Sequence, residues 1–218
     1  MSKLVFFDLD RTLLSYNSAS GWVRRELKLG FINRFTALKG AFFLLQYGLG
    51  ISSMEKPIRQ AGKLLAGSKE KDLIHRTNAF WEEEVRHQIR DKSHQVLQEH
   101  RTKGHQLVLL TSTSIYLARC AAEFFGIEHV IANQFVVEKG IFTGEMISPL
   151  CYGLGKVKHA KTLALRLNKS LSEGVFYTDS YSDLPMLLTV GEPVAVHPDN
   201  RLRRRAKKEN WSVVRWSL

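Results

Sequence analysis

Four short apolar runs in this chain each end in a polar residue, and that pattern constrains the fold more than any other feature. The first spans residues 4–7, with one β-branched and two aromatic side chains, and ends at Asp8. Residues 106–110 end at Thr111-Ser112-Thr113, residues 174–177 at Thr178-Asp179, and residues 193–196 at His197-Pro198-Asp199. Runs this brief and this continuously apolar read as strands of a parallel sheet covered on both faces. Helical patterns lie between them, at residues 114–125, stopped by Gly126, and at residues 156–167. Strands alternating with helices predict an α/β fold with a doubly wound parallel sheet. In such sheets ligands bind beyond the carboxyl ends of the strands, where all four polar loops fall.

The first two runs are about ninety residues apart, far more than one crossover helix needs. Residues 15–90 carry helical periodicity punctuated by glycines and show no clear strand. The expected organisation is therefore a core of residues 1–14 and 91–218 with a helical domain, 15–90, inserted after the first strand. Residues 69–102 are expected to form one long helical run back to the sheet, with Gly104 just past its end. Residues 134–143 read as a β-hairpin that turns at Lys139-Gly140.

Charge sorts the chain in the same way. The 218 residues carry a net charge of +11, with 32 Lys and Arg against 21 Asp and Glu. Residues 12–69 hold nine Lys and Arg against Glu26 and Glu55, and residues 201–218 hold seven against Glu209. The rest is nearly neutral. Two basic regions imply an anionic partner such as a phosphate ester, a membrane surface or nucleic acid. Residues 41–51 are the most apolar stretch, too short to span a bilayer and bounded by Lys39, which suits a buried helix or an interfacial one. Together with the basic stretch 201–208, it is the expected place of any peripheral membrane contact. That basic stretch reads first as a solvated helix face, so nucleic acid is not the expected partner. Two cysteines without metal-ligand spacing, and an N-terminal apolar run that meets Asp8 too soon for a signal peptide, point to the cytoplasm.

The polar loops bring Asp8, Asp10, Thr111, Lys156, Asp179 and Asp183 to one sheet edge. Each alone is explicable as a cap or a solvated charge; together they suit phosphoryl transfer. Several carboxylates in one pocket need a cation, and an all-oxygen set favours Mg²⁺ over zinc. Thr111 can hydrogen-bond a phosphate oxygen and Lys156 can offset charge in the transition state. One carboxylate can act as nucleophile while its neighbour two residues on serves as general acid and base.

Phe7-Asp8-Leu9-Asp10-Arg11-Thr12-Leu13 resembles the first motif, D-x-D-x-T, of the haloacid dehalogenase-like phosphatases. Thr111, Lys156 and Asp179-Ser180-Tyr181-Ser182-Asp183 are similar to their second, third and fourth motifs, in order. The insert lies where that family carries a helical type-1 cap. Ile131-Ala132-Asn133 followed by Phe142-Thr143-Gly144-Glu145 resembles the phosphoserine phosphatase branch, subfamily IB. The resemblance implies that Asp8 attacks phosphorus and becomes an aspartyl-phosphate, with Asp10 as acid and then base. It implies Thr111, Ser112 and Lys156 as phosphate-binding residues. It also implies a Mg²⁺ site made of Asp8, the Asp10 carbonyl and Asp179, supported by Asp183. Three positions depart from the branch: Asn17 replaces a Glu that holds the substrate ammonium, Thr111-Ser112-Thr113 replaces Ser-Gly-Gly, and Thr178 replaces a Gly.

The resulting expectation is a Mg²⁺-dependent phosphatase acting on a small-molecule phosphate ester such as an amino-alcohol phosphate. A lipid-phosphate phosphatase at a membrane surface and a non-catalytic module binding nucleic acid or another anion are the alternatives. Gly153-Leu154-Gly155-Lys156 lacks the residues of a nucleotide phosphate loop at both ends.

Overall fold

The computed structural model describes residues 2–35, 38 and 54–216. Its centre is β1 (Leu4–Phe7), flanked by β2 (Gln106–Ser114) and then β3 (His129–Asn133) on one side. On the other side follow β6 (Val175–Thr178), β7 (Glu192–Val196) and β8 (Ser212–Val214), and all five pairings are parallel. This is the doubly wound sheet expected from the apolar runs.

The period-two alternation of a strand divides β1 between two cores. Val5 and Phe7 pack with Leu97 of α4 (Asp91–Thr102) and Leu117 and Ala121 of α5 (Ile115–Phe125). Leu4 and Phe6 face the opposite layer, with Ala160 and Leu163 of α6 (Leu154–Arg166), Met186 of α7 (Leu184–Leu187), and Leu202 and Ala206 of α8 (Asn200–Lys208). Phe6 and Phe7 are fully buried, and removing either ring would cost about 3–5 kcal/mol. The boundaries of α5 follow local chemistry. Ser114 accepts from the Leu117 amide at its start, and Gly126 at φ +62° ends it in the left-handed region.

The long excursion after β1 contains α1 (Ser18–Lys28), α2 (Glu55–Leu64) and α3 (Glu70–Phe80). The expected continuous helical run over 69–102 is broken. After α3 the chain stays helical through a widened turn over 81–85 and a tightened one over 86–88, and then breaks at Ile89 and Arg90, which are extended. The cause is pairing with the outgoing strand. Leu14 and Ile89 form an antiparallel bridge, Ser15 N–H donates to Gln88 O at 2.8 Å, and Arg90 N–H donates to Leu13 O at 3.0 Å. The excursion therefore leaves and re-enters the sheet layer through two adjacent strands of chain.

The hairpin of β4 (Phe135–Glu138) and β5 (Ile141–Met146) turns at Lys139 and Gly140, both at positive φ, as a two-residue turn of this twist requires. It supports the excursion: Gly67 N–H donates to Phe142 O, Phe142 N–H to Ser68 O and Glu70 N–H to Gly140 O, at 2.9–3.0 Å. Gly144, at φ +90°, sits where a Cβ would be 2.9 Å from Ala66. Strands β3 and β8 were not expected. Both lie at sheet edges, where one-sided pairing leaves a weaker apolar signature.

Residues 41–51 lie outside the described residues. Residues 201–208 belong to α8, which buries Leu202 and Ala206 against the sheet and leaves most of its cations exposed. Among the described residues no helix is long and apolar enough to cross a membrane.

Candidate active site

Asp8 follows directly on β1, and its amide donates to Tyr177 O of β6 at 2.9 Å, which fixes the carboxylate at the carboxyl edge of the sheet. The chain then tightens over residues 9–14. Arg11 takes φ +57°, and Leu14 N–H reaches back to Leu9 O at 3.0 Å. This turn points Asp10 at the start of α1, where its carboxylate accepts from Ser18 N–H at 3.1 Å and from Ser18 Oγ at 2.9 Å. Burial pushes Asp10 up to about 6 against those two donors.

Lys156 enters from α6. Gly155 allows this approach, since a Cβ there would lie 1.8 Å from Leu150 O. The buried Lys156 Nζ donates to Asp8 Oδ1 and to Asp183 Oδ2, each at 2.8 Å. Burial works against its charge, but Asp183 and Asp8 outweigh burial and hold the ammonium protonated well above the ordinary range. Asp8 is pushed up to about 7, first by burial and against Lys156, with Asp183 and Asp10 adding repulsion. Asp179 is raised as well, by burial and then by Asp8 and Asp183. One lysine thus faces three buried carboxylates, and the excess negative charge is the dominant electrostatic fact of the site.

Thr111, in the second half of β2, is buried next to this edge, because Leu109 pairs with Phe7 in the strand register. Its Oγ1 accepts from Thr113 N–H at 3.3 Å, which leaves the hydroxyl proton for a ligand. Ser112 follows Thr111 at the same edge, and its hydroxyl donates to Cys151 O at 2.7 Å.

Three residues that sequence reasoning passed over hold this arrangement. Thr178, read only as a replaced glycine, donates from Oγ1 to Asp183 Oδ2 at 2.7 Å. Ser18 orients Asp10. Asn133 clamps two loops, donating to Ser112 O at 2.7 Å and accepting from Cys151 N–H at 2.8 Å. A signal existed for Thr178 and Asn133, since each polar residue ends an apolar run. Ser18 carried none. Asn17, the position of the absent ammonium-binding Glu, caps α1 by accepting from Ser20 N–H at 2.9 Å.

Among the described residues no three His, Cys, Asp or Glu side chains form a ready metal cage. The set inferred from the resemblance needs fewer, because Asp10 enters it through its carbonyl while its carboxylate is held by Ser18. Asp183 Oδ1 is buried and, among the described residues, has no hydrogen-bond partner, and among them only Lys156 brings a cation to bonding distance of the surplus carboxylate charge. Those features fit a hard divalent cation that keeps several waters.

The chain matches the haloacid dehalogenase-like hydrolase family over residues 5–188, and it belongs to that family. It is a phosphatase of that family, similar to its phosphoserine phosphatase branch. The phosphoserine phosphatase SerB1 of Mycobacterium tuberculosis (strain ATCC 25618 / H37Rv) is 28% identical over 217 residues, covering 98% of this chain and 70% of that protein. The histidinol-phosphatase of Neisseria meningitidis serogroup C (strain 8013) is 27% identical over 219 residues, covering 98% of this chain and 99% of that protein. A protein of unknown function from Bordetella pertussis Tohama I superposes with a TM-score of 0.88 at 25% identity, over 98% of this chain and 99% of that one. The alternative of a non-catalytic anion-binding module gives way to an enzyme.

Proposed function

We propose that the chain is a Mg²⁺-dependent phosphomonoesterase for a small metabolite, an amino-alcohol phosphate, working through an aspartyl-phosphate on Asp8. The observation that carries this reading is the buried triad in which Lys156 spans Asp8 and Asp183 at 2.8 Å each, at the edge of the sheet where its ligands bind. Residues 1–14 and 91–218 are the catalytic core in this reading, and residues 15–90 are the cap that selects the substrate. The amino-alcohol class is supported by the names of the two relatives, since phosphoserine and histidinol phosphate are both of that kind. Two unpaired cysteines, Cys120 and Cys151, suit a cytoplasmic setting.

In this mechanism Asp8 attacks phosphorus while Asp10 gives its proton to the leaving alcohol. Water then attacks the aspartyl-phosphate, Asp10 takes its proton, and inorganic phosphate departs from a regenerated Asp8 carboxylate. A pKa near 6 suits Asp10 to both transfers at neutral pH. Lys156 favours the ionised form of Asp8 against burial and offsets charge on the transferring group, and Thr111 with the Ser112 amide donates to the phosphoryl oxygens. Asp8, the Asp10 carbonyl and Asp179 would hold Mg²⁺, with Asp183 behind them; the bound cation supplies charge neutralisation and alignment of the phosphoryl group.

The test is phosphate release from an aryl phosphate with and without Mg²⁺. Turnover that requires Mg²⁺ and is abolished in Asp8→Asn is expected; metal-independent turnover that survives Asp8→Asn overturns the proposal. A lipid phosphate is the second reading, favoured by exposed apolar residues in the excursion. Turnover on micellar lipid phosphates and soluble esters, measured side by side, separates the two.

A further inference from the structure

Helix α1 starts at the site, where Ser18 holds Asp10, and its far end opens into an unusual surface. Gly30, at φ +79°, ends the helix and turns the chain outward. Leu29, Phe31, Phe35 and Leu38 then stand 51%, 57%, 76% and 70% exposed, within ten residues. Such clustering of large apolar groups is not what a solvated loop shows, and an exposed patch of this kind marks an interaction site.

The surrounding charge has one sign. Arg25 and Glu26 are neutralised internally, through Glu83 and Glu84 and through Arg76 respectively. Lys28 and Arg34 are exposed, and among the described residues neither takes part in a salt bridge. The free charge around the apolar side chains is therefore positive. Apolar side chains interspersed with two such cations match an anionic lipid interface, in which rings enter the acyl boundary while cations meet headgroup phosphates. A protein partner would not require that every free charge be positive.

We propose that the surface formed by Lys28, Leu29, Phe31, Arg34, Phe35 and Leu38 docks this enzyme on an anionic phospholipid bilayer. An eleven-residue helix is about 16 Å long, so this surface lies roughly that far along α1 from Asp10. The inference does not depend on which phosphate ester is cleaved, and it assigns the basic excursion a role beyond steering substrate.

Co-sedimentation of the full chain with phosphatidylcholine vesicles, and with vesicles containing about one-third phosphatidylglycerol, tests it. At least about tenfold tighter binding to the anionic vesicles is expected, weakening as salt rises. Phe35→Ser with Leu38→Ser should lower that affinity on the order of tenfold, and Lys28→Glu with Arg34→Glu should remove the preference for anionic lipid. Both variants should keep wild-type circular dichroism, thermal midpoint and vesicle-free turnover of an aryl phosphate, which separates lost docking from lost folding. Equal binding to both vesicle types, or anionic binding unchanged in both variants, overturns the proposal. So does binding abolished by Arg203→Glu with Arg204→Glu but not by the other two pairs, which would move the contact to α8.

Discussion

Two buried ion pairs hold this molecule together in different ways. In the excursion, Arg76 meets Glu26 at 2.6 Å, one cation for one anion, with the guanidinium 4.1 Å from the Phe31 ring centroid. At the sheet edge, Lys156 meets Asp8 and Asp183 at 2.8 Å each, with Asp179 close enough to repel both. A balanced pair costs desolvation and returns it in attraction; an unbalanced one stays costly until something else arrives. The balanced pair organises helices, whereas the unbalanced cluster is poised for a ligand.

Substitution of the two cations tests that contrast most directly. Lys156→Met should lower kcat/KM for an aryl phosphate by on the order of a thousandfold, because it removes positive charge from the transferring group. A loss below tenfold would place the cluster among structural pairs. Arg76→Met should strand Glu26 and cost about 3 kcal/mol of stability by denaturant unfolding, while kcat at low temperature stays within roughly threefold of wild type. If kcat falls as far as in Lys156→Met, the excursion takes part in the chemistry and the contrast fails.

The seam between the two regions should respond in between. Ser18→Ala removes the hydroxyl donor 2.9 Å from Asp10 but leaves the Ser18 amide in place. A hydrogen bond to a charged group is worth about 1.5–3 kcal/mol, so kcat should fall roughly tenfold or somewhat more. KM should stay near wild type if Ser18 only orients the acid. A rise in KM with unchanged kcat would assign Ser18 to substrate binding.

The two regions also differed in how much their sequence disclosed. At the sheet edge each polar residue alone had an ordinary explanation, but the strand pattern gathered Asp8, Asp10, Thr111, Lys156, Asp179 and Asp183 at one edge before any coordinates. The hydroxyl partner of Ser112 could not be read locally, because it lies on a loop thirty-nine residues away. Thr178 was undervalued because its role exists only once Asp183 folds back onto it. In the excursion, periodicity announced helices but not their break at 89–90, which arises from pairing of Ile89 and Arg90 with Leu13 and Leu14, a long-range contact without local signature. The edge strands β3 and β8 escaped for the same reason: each is specified by one neighbour.

The smallest effect expected is on the pH dependence of stability, and it has opposite signs at two places. His100 of α4 is buried against Phe7, with Nε2 2.9 Å from the Tyr177 hydroxyl and Nδ1 2.9 Å from His105 Nδ1. Burial, then His105 and Lys103, depress it to about 4, against weaker opposing fields from Glu99 and Glu192. The unfolded chain therefore binds a proton at His100 between about 6.5 and 4 where the folded one does not, and this contribution to stability is lost as pH falls through that window. Asp8 and Asp10 act the other way. Raised to about 7 and about 6, they bind protons more readily when folded and favour the native state as pH falls through the same range. The wild-type thermal midpoint alone mixes the two. The difference between wild type and His100→Gln isolates the histidine, and the wild-type advantage should shrink between pH 6.5 and pH 4. A difference that stays constant across the range would mean that His100 keeps its ordinary pKa in the fold, leaving the carboxylate edge to govern the pH response.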